Sequence, residues 1–192
     1  MCLCVKRRGR AAARPYRGMR DIMHETGQKM QKVSNQNISK KVWQEPAFFI
    51  AFGFGSGLMP KAPGTWGTLA AIPIYLLIAN TGWYFYLIAT IAAFVLGVFV
   101  SNIVSRELGE HDYQGIVWDE VVGFLLTMFL APPGLIWIIA GFILFRIFDI
   151  WKPQPIRWVD KRVYGGWGIM LDDVLAAIPA WIIMQLLAWY CR

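Results

Sequence analysis

Apolar residues in this chain occur in long runs separated by short polar or glycine-rich stretches, a pattern that predicts membrane-crossing helices. The clearest run covers residues 83–104, long enough for the roughly 20 residues that cross a bilayer core. It opens on Trp83, Tyr84 and Tyr86, and aromatic residues concentrate at membrane–water interfaces. The remaining apolar runs cover residues 68–80, 121–131 (a full crossing only if residues 116–120 extend it), 135–151 and 174–190.

Residues 46–67 begin apolar but are interrupted by seven glycine and proline residues, which break a long helix. We expect a short helix or a re-entrant segment here, followed by a loop. The segment lacks the GKS or GKT ending of a Walker loop. Its backbone N–H groups, together with Ser56, Lys61 and Thr65, suit a phosphate; the alternative is that the glycines permit a close helix crossing. The predicted fold is therefore all-α: a multi-pass integral membrane helical bundle of about five apolar segments with this glycine-rich element.

Composition supports a membrane protein, since 57% of the residues are hydrophobic and the mean hydropathy is +0.44. The net charge of +7 belongs to a tail, because residues 1–41 hold eleven of the 19 Lys and Arg residues against only Asp21 and Glu25. No aromatic interleaving or motif supports binding of nucleic acid. We therefore predict a basic, flexible cytoplasmic extension over residues 1–45 that touches anionic lipid, and a membrane-embedded domain over residues 46–192.

Charge asymmetry predicts the topology. The segments 105–120 and 152–173 contain Lys and Arg, whereas the turns at residues 80–82 and 132–134 carry no charge. The positive-inside rule then places both charged segments on the cytoplasmic side, with the N-terminus.

Acidic residues lie beside apolar runs, where a charge is costly unless it is paired or faces a polar cavity. Asp149 ends one such run, with Arg146 on the same helical face. The other acidic positions are two adjacent pairs, Asp119–Glu120 and Asp172–Asp173. Each has a structural alternative: acids favour helix N-termini, and Arg146 with Asp149 would make a buried ion pair. The predicted topology places all three acidic groups at one membrane face.

Carboxylates without nearby histidine or cysteine suit a hard cation such as Mg²⁺. The proposed metal ligands are Asp119, Glu120, Asp149 and Asp173, and Asp172 completes the catalytic set. Because adjacent helical residues point about 100° apart, we expect one ligand from each adjacent pair. The basic or hydroxyl groups expected to bind a phosphoryl group are Lys61, Thr65, Arg146 and Lys152. This combination predicts chemistry on a lipid phosphate.

Four motifs carry a resemblance to a known family, in the family's order: GFGSGLMPKAPGTWGT, IVWDEVVG, FRIFDIWKPQPIRWVDK and GGWGIMLDD. Over residues from about 48 to the last apolar run, the chain resembles phosphatidylglycerophosphatase A. The resemblance implies Mg²⁺-dependent removal of the phosphate monoester from phosphatidylglycerophosphate, and a bacterial inner-membrane location. It carries over the acids named above with Arg146 and Lys152. The basic N-terminal extension departs from the family.

Two other functions would require different sequence features. A CDP-alcohol phosphotransferase requires a spaced pattern of DG, AR, G and later Asp residues, which is absent. A small ion- or proton-coupled transporter with a carboxylate site requires acids near the middle of the membrane and a path to both faces. The expected gathering of acids at one face favours the enzyme.

Overall fold

The computed structural model describes residues 37–110, 113–151 and 165–191. All regular structure in these ranges is helical, which confirms the predicted all-α class. Ser39–Arg192 form one compact unit, and most of the predicted extension over residues 1–45 lies outside the described residues. The elements are α1 (Pro46–Ala51), a 3₁₀ segment (Gly53–Leu58), α2 (Pro63–Ile78), α3 (Trp83–Leu108), α4 (Trp118–Thr127), α5 (Leu135–Trp151) and α6 (Gly166–Tyr190).

Two helices of the described chain, α3 and α6, are long and apolar enough to cross a membrane. That is fewer than the five or so crossing segments predicted; α2 is apolar but shorter. The run over residues 121–131 was expected to cross only if residues 116–120 extended it, and the helix observed there begins at Trp118 and ends at Thr127. Helix α4 has 10 residues, about 15 Å at 1.5 Å per residue and half of a bilayer core. Beyond it Leu130 takes a left-handed conformation, φ 60°, which cannot continue a helix.

Helix α2 begins at Pro63, five residues before the predicted start at residue 68. Proline suits the first helical turn because its fixed φ is already helical and its missing N–H is not needed there. The glycines that suggested a loop instead allow close packing. A Cβ atom on Gly67 would lie 2.6 Å from Cβ of Val117, so these glycines bring α2 against the segment that leads into α4.

Helix α6 begins at Gly166 rather than at residue 174. The glycine-rich stretch before Asp172 is therefore helical from Gly166 onward. A Cβ atom on Gly166 would lie 2.0 Å from the carbonyl oxygen of Val98 in α3. Glycine is therefore required for backbone contact between two helices, and this packing outweighs its low helix propensity.

Helix α4 lies at the centre of the bundle, packed against α2, α3, α5 and α6. Eight of its residues are buried, as expected for a helix that is apolar on most sides. The surrounding core contains Phe124, Phe145, Met170 and Met184, each almost fully inaccessible. The start of α4 is thereby fixed beside α5 and α6.

Side-chain donors satisfy the carbonyl groups where α4 ends. The Tyr86 hydroxyl donates to the Leu125 carbonyl at 2.6 Å. Trp181 Nε1 and Gln185 Nε2 donate to the Phe129 carbonyl at 2.8 and 2.9 Å. Helix ends leave carbonyls without intrahelical partners, so α3 and α6 supply donors where α4 stops.

Candidate active site

Three carboxylates meet where α4 approaches α6. Asp119, Glu120 and Asp173 each contribute an oxygen atom, and these three atoms lie within 4.8 Å of one another. Asp119 and Glu120 are in the first turn of α4, and Asp173 is two turns into α6. Gly123, one turn after Asp119, permits the approach, because its Cβ would lie 2.5 Å from the Phe145 ring and 3.3 Å from the Asp173 carbonyl. We call these three residues the carboxylate cluster.

The carboxylate cluster is largely shielded from solvent, and Asp173 is only 2% exposed. Within the described residues, Glu120 Oε2 and Asp173 Oδ2 are buried without a hydrogen-bond partner. Burial raises the pKa of Glu120 to about 8; the charges of Asp173 and Asp149 add to the rise, while Asp119 and Arg146 oppose it. Buried carboxylates at this spacing repel one another, so the cluster favours a cation.

Arg146 connects Asp149 to the carboxylate cluster. Its Nη1 atom lies 2.5 Å from Asp149 Oδ2 and 3.9 Å from Glu120 Oε1. The predicted pairing of Arg146 with Asp149 on one helical face is therefore present in the structure. The Nε atom of Arg146 is buried and has no partner among the described residues. Arg146 thus retains a donor that is not used by the two carboxylates.

The start of α2 touches the same site through Gly64. A Cβ atom at this position would lie 2.1 Å from Glu120 Oε1 and 3.0 Å from Arg146 Nη1. Sequence reasoning did not single out Gly64, although it lies in the first of the four motifs. The only sequence feature that marks Gly64 is the Pro63-Gly64 pair, and such a pair is equally typical of a turn. Only the packing of α2 against α4 reveals why a side chain is excluded.

The other predicted phosphate-binding residues are less closely tied to the cluster. Lys61 is exposed in the loop before α2, and Thr65 is partly exposed one residue after Gly64. The Ser56 hydroxyl donates to the Gly53 carbonyl at 2.8 Å and so supports its own turn. Lys152 lies outside the described residues.

The two adjacent acidic pairs differ. Asp173 joins the carboxylate cluster, whereas Asp172 is buried outside it and its Oδ1 accepts the Asp173 N–H at 3.1 Å. Asp119 and Glu120 both contribute an oxygen to the cluster, and the expectation that one of them would bind the cation stays a prediction. The side chain of Glu120 is one methylene longer than that of an aspartate, so its carboxylate can extend back toward Asp119.

Comparison with known proteins places this arrangement in a family. The family model described as Phosphatidylglycerophosphatase A matches residues 49–188, a range that contains Gly64, Arg146, Asp149 and the whole carboxylate cluster. The chain belongs to this family. The predicted family and the predicted enzyme class are both confirmed: the family's members are phosphatases that act on a phosphate monoester.

Three curated relatives extend the comparison. Phosphatidylglycerophosphatase A of Escherichia coli is 43% identical over 73% of this chain and 82% of its own length. The Haemophilus influenzae protein of the same name is 44% identical over 78% of this chain and 93% of its length. A Bacteroides thetaiotaomicron protein, provisionally named a phosphatidylinositol-3-phosphatase, is 37% identical over 76% of this chain and 98% of its length. No solved structure gives a significant match.

Proposed function

We propose that this member of the phosphatidylglycerophosphatase A family removes the phosphate monoester from phosphatidylglycerophosphate and depends on Mg²⁺. The observation that carries the proposal is the carboxylate cluster with Arg146 beside it: negative groups that suit a cation and a positive group that suits a phosphoryl oxygen. The two relatives named Phosphatidylglycerophosphatase A support the substrate. The net reaction consumes water, breaks one phosphate ester bond, and yields phosphatidylglycerol and inorganic phosphate.

The residues present fit a hard divalent cation. The donors are carboxylate oxygens alone, which Mg²⁺ prefers. Glu120 Oε2 and Asp173 Oδ2 are buried oxygens with no partner among the described residues. Asp119, Glu120 and Asp173 would hold the ion. Asp149 is the fourth ligand expected from the sequence, but its near partner is Arg146 at 2.5 Å, so we assign it to holding Arg146 rather than the cation. When bound, Mg²⁺ polarises phosphoryl oxygens and lowers the pKa of an attacking water.

The protein's own groups would bind and orient the phosphate. Arg146 directs its unused donor to a phosphoryl oxygen and offsets the charge that develops during transfer. Asp149, 2.5 Å from Arg146 Nη1, holds the guanidinium in place. A carboxylate that is not bound to the cation accepts the proton of the attacking group. Lys61, Thr65 and Lys152 complete the proposed phosphate-binding set, with Asp172 as a supporting acid.

The proposed setting is the bacterial inner membrane, crossed several times, with the active site on the cytoplasmic face. Helices α3 and α6 are long and apolar enough to cross, and the relatives are bacterial. The lipid substrate resides in this membrane. The basic and charge-free segments of the sequence support the orientation.

Purified protein is expected to release phosphate from phosphatidylglycerophosphate only when a divalent cation is present. Mg²⁺ titration after chelation should restore turnover and raise the melting temperature over the same concentration range, because a ligand that binds only the folded state stabilises it. Colorimetric phosphate release and thermal unfolding in detergent measure the two effects. Undiminished turnover in excess chelator would overturn the metal requirement.

Two further arms test the substrate and the enzyme class. Phosphatidylinositol 3-phosphate, suggested by the name of the Bacteroides relative, serves as the competing substrate. A higher kcat/KM for this lipid would replace phosphatidylglycerophosphate as the proposed substrate. Phosphate release from neither lipid, with cation-dependent ion flux into proteoliposomes, would favour the transporter.

Cysteine labelling tests the orientation. After replacement of Cys2, Cys4 and Cys191, Glu110→Cys is expected to react with a membrane-impermeant maleimide only after the inner membrane is opened. Asn80→Cys should react in intact spheroplasts. Both positions are exposed in the structure, so failure to react cannot result from burial in the fold. The reverse labelling pattern would place the active site on the periplasmic face.

A further inference from the structure

Aromatic side chains form a continuous strip from an exposed surface to the first residue of α4. The ring centroids of Trp43 and Phe49 are 5.7 Å apart, those of Phe49 and Phe54 are 5.4 Å apart, and those of Phe54 and Trp118 are 5.7 Å apart. Trp118 immediately precedes Asp119. We call these four residues the aromatic strip. Its inner end is thus covalently adjacent to a proposed metal ligand.

The outer part of the aromatic strip is exposed although it is apolar. Trp43 is 65% exposed and Phe54 is 44% exposed, whereas Trp118 at the inner end is 6% exposed. Phe54 also has a left-handed backbone, φ 59° and ψ 30°, between Gly53 and Gly55, which both have positive φ. Glycine would adopt this conformation without a steric cost. A phenylalanine held there with its ring exposed indicates that the ring contacts something outside the fold.

The position of the aromatic strip along α3 indicates which part of the bilayer surrounds it. Trp118 Nε1 donates to the carbonyl of Ala93 in α3 at 2.9 Å. Ala93 lies ten residues after Trp83, about 15 Å along the helix axis. Exposed apolar residues of α3 lie on both sides of this level: Ile91, Val95, Phe99 and Ile103. Phe54, packed on Trp118, therefore faces the apolar part of the bilayer in the proposed membrane setting.

We propose that the aromatic strip binds the acyl-glycerol part of the lipid substrate and admits the substrate sideways from the bilayer. The inference rests on the proposed function and names where the apolar portion of that substrate lies. A lipid whose phosphate reaches Arg146 must place its chains along an apolar path that leaves the carboxylate cluster. The strip leads from the start of α4 to the protein surface, and the exposed ring of Phe54, packed on Trp118, lies at the height where acyl chains are found.

Kinetics with substrates of different chain length test this subsite. Phe54→Ala is expected to lower kcat/KM for dioleoyl phosphatidylglycerophosphate about tenfold, mainly through KM, because one aromatic contact with the chains is lost. The dihexanoyl substrate, whose chains are too short to follow the strip, should change by less than about twofold. Phe54→Tyr retains the ring and should restore the long-chain preference. Phe54→Gly should also lose this preference. It should unfold at a higher temperature than Phe54→Ala, because glycine tolerates the positive φ.

The matched control is Phe85→Ala, an exposed phenylalanine eight residues before Ala93 in α3. It should leave kcat/KM for both chain lengths unchanged. If Phe54→Ala lowered kcat/KM equally for both substrates, the ring would only position Trp118 and Asp119. If it lowered kcat/KM for neither, the strip would be a membrane-interface anchor. Each result overturns the proposed subsite. If the wild-type protein hydrolyses neither lipid, the proposed function fails instead, and the two failures are distinguishable.

Discussion

Asp173→Asn is expected to lower turnover of phosphatidylglycerophosphate by about a thousandfold while stabilising the cation-free protein. Asparagine keeps the shape of the buried side chain but removes one of three acidic groups whose oxygens lie within 4.8 Å. Less repulsion in the cation-free cluster should raise its melting temperature. The rise in melting temperature on adding Mg²⁺ should be lost, because one of the proposed ligands is missing.

Phosphate release and thermal unfolding across a Mg²⁺ titration measure these opposite effects. Asp172→Asn is the matched comparison: the same substitution, one residue away, at a buried acid outside the carboxylate cluster. Asparagine also keeps the Oδ1 atom that accepts the Asp173 N–H. We expect its turnover to fall less than about tenfold, with the Mg²⁺-induced stabilisation retained. If Asp172→Asn lost the Mg²⁺ response and Asp173→Asn kept it, the assignment within this pair would be reversed.

Asp149→Asn is expected to lower turnover about a hundredfold and to destabilise the protein, with Mg²⁺ affinity changed by less than about threefold. Asp149 Oδ2 is the near partner of Arg146, and both side chains are mostly buried. Breaking a buried ion pair costs about 3–5 kcal/mol. The cost should be smaller here, because Glu120 lies 3.9 Å from the same guanidinium and can take over part of the interaction.

A double-mutant cycle with Arg146→Gln separates positioning from metal binding. If Asp149 acts through Arg146, the double variant should be more stable than the sum of the single effects predicts, and no slower than Arg146→Gln alone. Titration with Mn²⁺, followed by its electron paramagnetic resonance signal, measures cation affinity without relying on activity. A loss of affinity greater than about tenfold in Asp149→Asn would make Asp149 a metal ligand, as the sequence originally suggested.

Continuous apolar runs were the most predictable part of the fold. Helix α3 begins at Trp83 as expected, since an uninterrupted run with aromatic residues at its start has few other interpretations. It extends past residue 104 to Leu108, because Arg106 and Glu107 are exposed on its last turn and Glu107 pairs with Lys41. The predicted starts of α2 and α6 are wrong for the same reason. Glycine breaks a helix in isolation, but here it permits helix contacts that depend on the tertiary fold.

The candidate site was predictable as chemistry rather than as geometry. Acids beside apolar runs stand out because an unpaired charge there is unfavourable, and this identified every carboxylate of the candidate site. The short distance from Glu120 to Arg146 depends on how α4 packs against α5, and the contact with Gly64 depends on α2. Neither is encoded in local spacing. The Arg146–Asp149 pairing was predictable because residues three apart share a helical face.

The end of α4 bears on how the protein insulates two compartments. A helix of ten residues would leave bare carbonyl groups where it ends inside the bundle, and water drawn to them would offer protons and ions a route. Tyr86, Trp181 and Gln185 occupy the Leu125 and Phe129 carbonyls from two sides. In the proposed membrane setting, these three donors form a dry seal beneath a charged site. A cation held in the carboxylate cluster would then be separated from the opposite compartment, and the electrochemical gradient across the membrane would be preserved.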